Sequence, residues 1–323
     1  MVLSRVVLCA LFLGCSGPGK SPSPAPTGLS LHPSAPTSAG STAIQASTAP
    51  TLATSAVEPP PKKPLLLGIN PPSFASTIAC EGELDRSKLL AALKAFPKGA
   101  PAAQIVVRTA VGSECTLPAL VGVDAVLLVI DGGGTASAPD KSLIGSLHVW
   151  QALQLPGLGV RFSTRTTAIT ALVALASTDG TDLSAKVAKG TTWTERPGTI
   201  SKTSVLDREQ LAWDGGTFRA AILFEGPTSP HLSLEVLILG AGASIPSHEH
   251  AEWELLSVMS GSGSMSLAGV DLPVDAGKHV AIPAKTAHAF KAGDARVIVV
   301  QSYAPAGPEQ RFKKLALTAP SMP

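Results

Sequence analysis

Three histidines and one glutamate between Gly242 and His288 restrict the folds open to this chain more than any other feature. His248 and His250 are two residues apart, and Glu254 follows after a further even step. Side chains two residues apart on a β-strand point to the same face. His288 can return to that face on a partner strand after a turn. The spacing therefore predicts that the four side chains converge inside a β-structure.

The wider pattern resembles the two sequence motifs of the cupin superfamily over about Val205 to Phe312. The first motif, Gly-x5-His-x-His-x3-Glu-x6-Gly, is matched at every position from Gly242 to Gly261. The second motif is matched by Gly277, Pro283 and His288. Lys285 stands where a glycine is usual, and Ala292 stands where an asparagine is usual. Neither position is a metal ligand, so the ligand set is complete, but the turn before His288 is expected to differ in shape.

This resemblance implies an all-β fold in which residues 201–323 form a cupin double-stranded β-helix, a jelly-roll barrel. It also implies one divalent transition metal ion, with these ligands: His248, His250, Glu254 and His288. Three imidazoles and a carboxylate suit Mn, Fe, Ni, Cu, Co or Zn without selecting one. Four protein ligands leave two octahedral positions for water, oxygen or a chelating molecule. The competing interpretation is a structural hairpin with surface histidines.

Alternation along the flanking strands predicts an apolar wall around the metal. The candidate wall residues are Leu256, Val258, Ile282 and Phe290. Small-molecule pockets are usually lined in this way, although plain core residues would give the same pattern. His279 has no partner pattern with the four ligands, and it is expected at the surface or beside them.

Residues 64–200 are predicted to form a second β-rich domain with one short helix. Apolar runs such as Gln104 to Arg108 and Ala125 to Ile130 are broken by frequent glycine and proline, which is typical of sandwiches and barrels. The helix is expected at about Asp85 to Phe96, where leucines share one face.

A shift of 129 residues aligns parts of the two domains. It places Ile105 to Val107 over Leu234 to Val236, and Leu127 to Gly132 over Leu256 to Gly261. In that register Ala119, Val121 and Ala125 replace the first three ligands. The N-terminal domain is then a degenerate cupin-like domain without metal, making the chain a bicupin. Chance similarity of apolar runs is the alternative.

The first fifteen residues have the pattern of an export signal. Arg5 precedes an apolar run that is too short to span a bilayer. The ending at Leu13-Gly14-Cys15 resembles a bacterial lipobox, in which Cys15 would be lipidated. A lipid-anchored protein of the periplasm or outer membrane is therefore expected. The alternative is an ordinary signal peptide in which Cys15 is incidental.

Residues 16–63 are rich in Pro, Ser, Ala and Thr and are predicted to be a disordered tether. Such a spacer would hold a folded domain away from a membrane surface. Beyond the signal, the remaining cysteines are Cys80 and Cys115. In an exported chain they are a plausible disulfide, with two separate buried thiols as the alternative.

Charge and composition narrow the function classes. Charged residues are 15% of the chain and the formal net charge is +2, which argues against a nucleic-acid partner. A small-molecule ligand or substrate is expected instead. The oligomeric state stays open, with a homodimer as one option.

Whether the chain is an enzyme also stays open. Free coordination positions favour a dioxygenase, decarboxylase or isomerase. The lack of an evident acid–base partner and the surface tether favour a non-catalytic binding or sensing module. A purely structural metal is the third interpretation.

Overall fold

The computed structural model describes residues 72–74, 77–138, 140–190 and 199–318, which all belong to one compact unit. The predicted signal, the tether and Cys15 lie outside the described residues. Within the described part of the chain, no helix is long and apolar enough to cross a membrane.

Eight strands form the N-terminal sheet: β1 (Thr77–Ala79), β2 (Gly82–Glu83), β3 (Ala102–Thr109), β4 (Glu114–Ser137), β5 (Leu143–His148), β6 (Gln151–Ser163), β7 (Ile169–Ser177) and β8 (Ser201–Ser204). Their order is β1-β3-β7-β4-β6-β8, and β2 and β5 also pair with β4. The strand β8 pairs with β6, so the chain stays in this sheet as far as Ser204.

Two further sheets contain the C-terminal strands. They are β9 (Leu211–Trp213), β10 (Phe218–Phe224), β11 (Leu234–Leu239), β12 (Ser244–His248), β13 (Trp253–Ser260), β14 (Ser262–Leu267), β15 (Val270–Asp275), β16 (His279–Ile282), β17 (His288–Ala292) and β18 (Val297–Ala304). One sheet has the order β16-β13-β18-β11-β10-β9, and the other has β12-β17-β14-β15. All pairings in these two sheets are antiparallel, which confirms the all-β prediction.

Three apolar clusters organise the packing. The first fills the interior of the N-terminal sheet, around residues such as Leu127 and Val173. The second joins the opposite face of that sheet to the six-stranded sheet, through Leu172 and Val300 among others. The third lies between the six- and four-stranded sheets. Because β18 contacts apolar groups on both faces, every residue in it is buried, and its sequence is nearly continuous in apolar residues.

The strand order supports the internal alignment. In the N-terminal sheet the central order is β3-β7-β4-β6, and in the six-stranded sheet it is β11-β18-β13-β16. A shift of 129 residues carries β3 onto β11 and the middle part of β4 onto β13, as the alignment requires. The two parts therefore share a central four-strand arrangement.

Three helices complete the described structure: α1 (Arg86–Leu93), α2 (Leu183–Lys189) and α3 (Gln310–Thr318). The predicted helix corresponds to α1, which begins after Asp85 because that side chain accepts a hydrogen bond from the Ser87 N–H at 2.9 Å. The N-terminal part also contains α2, which was not predicted. With seven residues, α2 is too short for a clear helical period in the sequence.

Cys80 and Cys115 form a disulfide with their Cα atoms 5.4 Å apart. Both side chains are buried in the N-terminal interior. The bond links the segment between β1 and β2 to the start of β4, so it closes this part of the fold covalently.

Candidate metal centre

Three strands, β12, β13 and β17, and the loop between β12 and β13 bring the four predicted ligands together. His248 ends β12 and pairs directly with His288, which begins β17. His250 lies in the following loop, and Glu254 is the second residue of β13. One ligand atom from each of the four residues lies within 4.8 Å of the others. The arrangement therefore gathers residues that are up to 40 positions apart in sequence.

The donor atoms face one another closely. Nε2 of His250 lies 2.7 Å from Oε2 of Glu254, and Nε2 of His288 lies 3.1 Å from the same oxygen. The rings of His248 and His288 are 4.2 Å apart. Such a group of three imidazoles and one carboxylate around a common point has the chemistry of a transition-metal site.

Backbone carbonyls determine which nitrogen of each imidazole faces the centre. Nδ1 of His248 lies 2.9 Å from the Pro246 carbonyl oxygen, and Nδ1 of His288 lies 2.8 Å from that of Thr286. His250 makes the same contact with the Glu252 carbonyl at 2.8 Å. A carbonyl can only accept, so each Nδ1 carries a hydrogen. Each Nε2 then offers its lone pair to a metal ion when the ring is neutral, whereas Nε2 of His250 or His288 donates to Glu254 only when that ring is protonated. Nε2 of His248 is buried without a hydrogen-bond partner, which fits a metal ligand.

Glu254 is held in its ionised form. Burial alone would raise the pKa of Glu254, but hydrogen bonds with His250 and His288 lower it to about 2. Gln301 donates a further hydrogen bond to Oε1 of Glu254. Burial lowers the pKa of His248, which keeps that imidazole neutral and able to coordinate. The pKa of His288 is raised: burial opposes its protonation, but the hydrogen bond with Glu254 outweighs it.

Two turns set the geometry around the ligands. Gly261 has φ +82°, and a Cβ on it would lie 2.4 Å from the carbonyl oxygen of Arg296, so both conformation and space require glycine there. Lys285 has φ +58°, and its N–H donates to the His250 carbonyl at 2.7 Å. Lysine thus adopts a left-handed conformation at this turn, which glycine would adopt without strain.

A cavity of about 50 Å³, measured as the space open to the centres of water-sized molecules, adjoins the candidate ligands. His248, Glu254 and His288 line one side. Most of the wall is apolar, and the aromatic lining residues are Trp213, Phe218, Phe290 and Phe312. A water needs roughly 10–15 Å³ on this measure, so the space suits several waters or one small molecule.

The predicted wall residues fall into two groups. Leu256, Val258 and Phe290 line the cavity. Ile282 differs from the prediction, because it is fully buried and is not among the lining residues. It pairs with Glu254 across β13 and β16 and packs in the core between the C-terminal sheets.

Sequence reasoning missed several residues of the site. Gln301 lies on β18 beside Glu254, and Arg219 and Arg311 are the arginines among the lining residues. Arg311 donates to the hydroxyl oxygen of Tyr303 at 2.7 Å. Alternation along β18 could have placed Gln301 inward. No local pattern indicates that α3 folds back to bring Arg311 to the cavity.

Glu235 is a second carboxylate inside the C-terminal part. It is fully buried, and neither of its oxygens has a hydrogen-bond partner among the described residues. Burial raises the pKa of Glu235 well above its usual range, which favours the neutral acid. Glu235 pairs with Gln301 across β11 and β18, and the side-chain amide of Gln301 donates to Glu254. Gln301 therefore lies between the two carboxylate residues in the sheet.

His279 lies between the two halves of the structure and not at the surface. Its ring stacks on Phe74 at 4.6 Å, and its Nδ1 is 2.7 Å from the hydroxyl oxygen of Ser257. Ser257 in turn donates to Oε1 of Gln104 in the N-terminal sheet at 2.6 Å. Burial lowers the pKa of His279 to about 4. This histidine therefore belongs to a polar contact between the sheets.

Comparisons with known proteins agree with this architecture. Residues 235–301 match the family model described as Cupin domain. The structure is similar to oxalate decarboxylase from Bacillus subtilis, with TM-score 0.52 and 13% identity over 66% of this chain and 70% of that chain. It is also similar to procruciferin, an 11S globulin from Brassica napus, with TM-score 0.50 and 10% identity over 64% and 77% of the respective chains. A comparison with curated proteins gives no sequence match.

These likenesses concern the fold, since the identities are low. Two thirds of the chain is more than residues 201–323, so the likeness extends into the N-terminal sheet. Residues 235–301, which match the Cupin domain model, contain the His-His-Glu-His group.

Proposed function

We propose that this chain is a metal-dependent cupin protein that acts on a small organic molecule. The observation that carries the proposal is the convergence of four donor atoms within 4.8 Å at the wall of a mainly apolar cavity. The ligands would be His248, His250, Glu254 and His288, and the ion would be one of Mn, Fe, Ni, Cu, Co or Zn.

When bound, such an ion would supply a Lewis acid that polarises a carbonyl or enolate oxygen, or an open position for water or oxygen. The protein's own contribution is to orient the donors. The backbone carbonyls of Pro246, Glu252 and Thr286 fix the imidazole rings, and Gln301 fixes the carboxylate. The largely apolar wall lowers the local dielectric constant, which strengthens electrostatic contacts within the cavity.

A dioxygenase, decarboxylase or isomerase reaction fits this arrangement. The second candidate is a non-catalytic module that binds or senses a small ligand. One observation favours it: apart from the candidate metal ligands, no lining residue in the described part of the chain is an Asp, Glu, His, Tyr or Lys that could exchange a proton. A measurement of catalytic turnover distinguishes the enzyme from the binding module.

Metal content of the full-length chain tests the site directly. We expect about one ion per purified wild-type chain, and a loss of affinity of at least about 100-fold in His248→Ala and His288→Ala. His148→Ala is the matched control, because His148 is exposed and lies in the N-terminal sheet, outside the candidate metal group. Unchanged metal content in both ligand variants would refute the site.

Oxygen uptake and product analysis with catechols, flavonols, thiols and oxalate then test for catalysis. Metal-dependent turnover of any of these that is lost in His288→Ala supports an enzyme. Metal-dependent binding without turnover supports the binding module. Bound metal with neither result supports a structural role for the ion.

We also propose that the chain is exported and anchored by lipid at Cys15, with residues 16–63 as the tether. The proposal is supported by the sequence of residues 1–63. Mass spectrometry of the protein from bacterial membranes tests it. Diacylglyceryl modification of Cys15 is expected, whereas an unmodified N-terminus beyond Cys15 would exclude the anchor.

A further inference from the structure

The wall of the cavity contains a guanidinium group that forms no salt bridge within the described residues. Arg311 projects from α3 into a lining that is otherwise dominated by aromatic and aliphatic side chains. It donates to the Tyr303 hydroxyl oxygen and lies 5.7 Å from the ring centre of Tyr303 and 5.1 Å from that of Phe312. Within the described residues it forms no salt bridge with a carboxylate.

The helix that carries Arg311 is fixed in place. Glu309 accepts a hydrogen bond from the Gly226 N–H at 3.0 Å. Gln310 donates to Glu225 at 2.6 Å, and Lys313 contacts the same carboxylate. Phe312 stacks against Trp213 with the ring centres 5.6 Å apart. Arg311 is therefore held at the cavity by contacts on several sides of the helix, and its position is set before any ligand arrives.

Arg311 is half-buried, so its guanidinium is partly removed from water beside an apolar wall, and an anion in the cavity would compensate that loss. The neighbouring aromatic rings attract the guanidinium weakly compared with an ion pair. Glu254 is turned toward His250 and His288 and accepts a hydrogen bond from Gln301, so its carboxylate is already engaged. Further guanidinium N–H groups of Arg311 remain for a ligand, and their planar geometry matches a carboxylate.

We infer that the cavity binds a small organic carboxylate with an apolar body. Its carboxylate pairs with Arg311, and its body packs against Phe218, Phe290 and Phe312. The inference rests on the proposed function in one respect: a metal ion bound by the candidate ligands would also contact the same small molecule. With neutral imidazoles, a divalent ion, Glu254 and Arg311 together carry a net positive charge, which an anionic ligand offsets.

Isothermal titration calorimetry on the full-length chain tests the inference with matched acids and amides. The probes are butyrate and benzoate against butyramide and benzamide, because each amide keeps the shape and removes the charge. We expect at least one acid to bind about 10- to 100-fold more tightly than its amide, and Arg311→Gln to abolish that difference. Arg311→Lys should retain part of it.

Two further variants control for charge and assign the residue. Lys314→Gln removes an exposed charge from the same helix and should leave the preference for acids unchanged. Arg219→Gln tests the other arginine of the wall. Equal affinity for acid and amide, a preference that survives Arg311→Gln, or no binding of either acid at millimolar concentration would overturn the inference. The inference would also be overturned if Arg219→Gln abolished the preference for acids while Arg311→Gln did not.

Metal content is measured on the same samples to separate the two proposals. If a full complement of metal is present and no preference for acids is found, the inference fails and the metal site stands. If no metal is bound but the acid preference depends on Arg311, the proposed function fails and the anion site stands.

Discussion

The two β-rich parts of the chain order their central strands in the same way but fill their interiors differently. In the N-terminal part, Leu127 and its neighbours form a closed apolar core that contains the Cys80–Cys115 disulfide. In the C-terminal part, the corresponding position is Leu256, which borders a cavity with His248 and His288 at its wall. A common strand order thus supports a sealed core in one half and a candidate site in the other.

The comparison shows that the strand framework does not by itself create the site. At the position equivalent to Glu254, the N-terminal part has Ala125, which is buried in its core. The position equivalent to His250 is Val121, which is half-exposed. Chemistry therefore depends on a few side chains placed on a shared scaffold. The N-terminal sheet also packs against one face of the six-stranded sheet.

The disulfide gives the largest expected difference between the halves. Replacing both Cys80 and Cys115 by serine should lower the free energy of unfolding by about 4 kcal/mol, because the bond spans 35 residues and restricts the unfolded chain. Chemical denaturation measures the loss. Hydrogen exchange should accelerate more in β3, β4 and β7 than in β11, β13 and β18. Equal acceleration in both parts would show that they unfold as one unit.

Acid should weaken the contact between the halves through His279. Its pKa is about 4 in the folded chain and 6.5 when exposed, so the unfolded chain takes up a proton first as the pH falls. Stability is therefore lost between pH 6.5 and 4, by up to about 3 kcal/mol. His279→Gln should remove that part of the pH dependence in denaturation curves at pH 7 and 4.5. An identical pH dependence of stability in wild type and in His279→Gln would contradict this role of His279.

Equivalent leucines should respond differently to truncation. Leu127→Ala leaves a hole in a closed core and should cost about 4 kcal/mol. Leu256→Ala enlarges an existing cavity and should cost about 2 kcal/mol, since less surrounding packing is lost. Urea denaturation of both variants gives the difference. Equal costs would indicate that the C-terminal cavity is as tightly packed as the N-terminal core.

The smallest expected effect concerns the turn at Lys285. Lys285→Gly should raise the free energy of unfolding by about 0.5 kcal/mol, because glycine adopts positive φ without strain but is more flexible when unfolded. Metal affinity should stay within about twofold of wild type, since the backbone contact with His250 is kept. A large change in affinity would mean that the lysine side chain itself matters at the site.

Local spacing predicted the parts of the fold and site that depend on strand direction. His248 and His250 share a face because they are two residues apart, and Leu256 and Val258 follow the same rule. Ile282 also lies on the predicted face, because Val280, two residues earlier on β16, lines the cavity. Ile282 itself packs in the core beside the cavity and does not line it. Alternation gives the face of a strand, but not which part of that face remains open.

Interactions between distant segments were beyond such rules. His279 was expected near the surface or the ligands, yet its ring stacks on Phe74, and Ser257 links it to Gln104 of the N-terminal part. The contact arises from the packing of one sheet on another, and the sequence of β16 does not indicate which segment packs against it. The helix α2 was missed for a different reason, since seven residues give too little periodicity.

The sequence by itself determined the donor set, because fixed spacing on alternating strands aims three imidazoles and a carboxylate at one point. It also determined the all-β class, through short apolar runs separated by turn residues. Tertiary structure decided how the cavity closes. The helix α3 returns to the barrel and places Arg311 at the wall, more than fifty residues after Glu254 in the chain. That closure depends on contacts of Glu309, Gln310 and Phe312 with distant loops and strands, which no local pattern encodes.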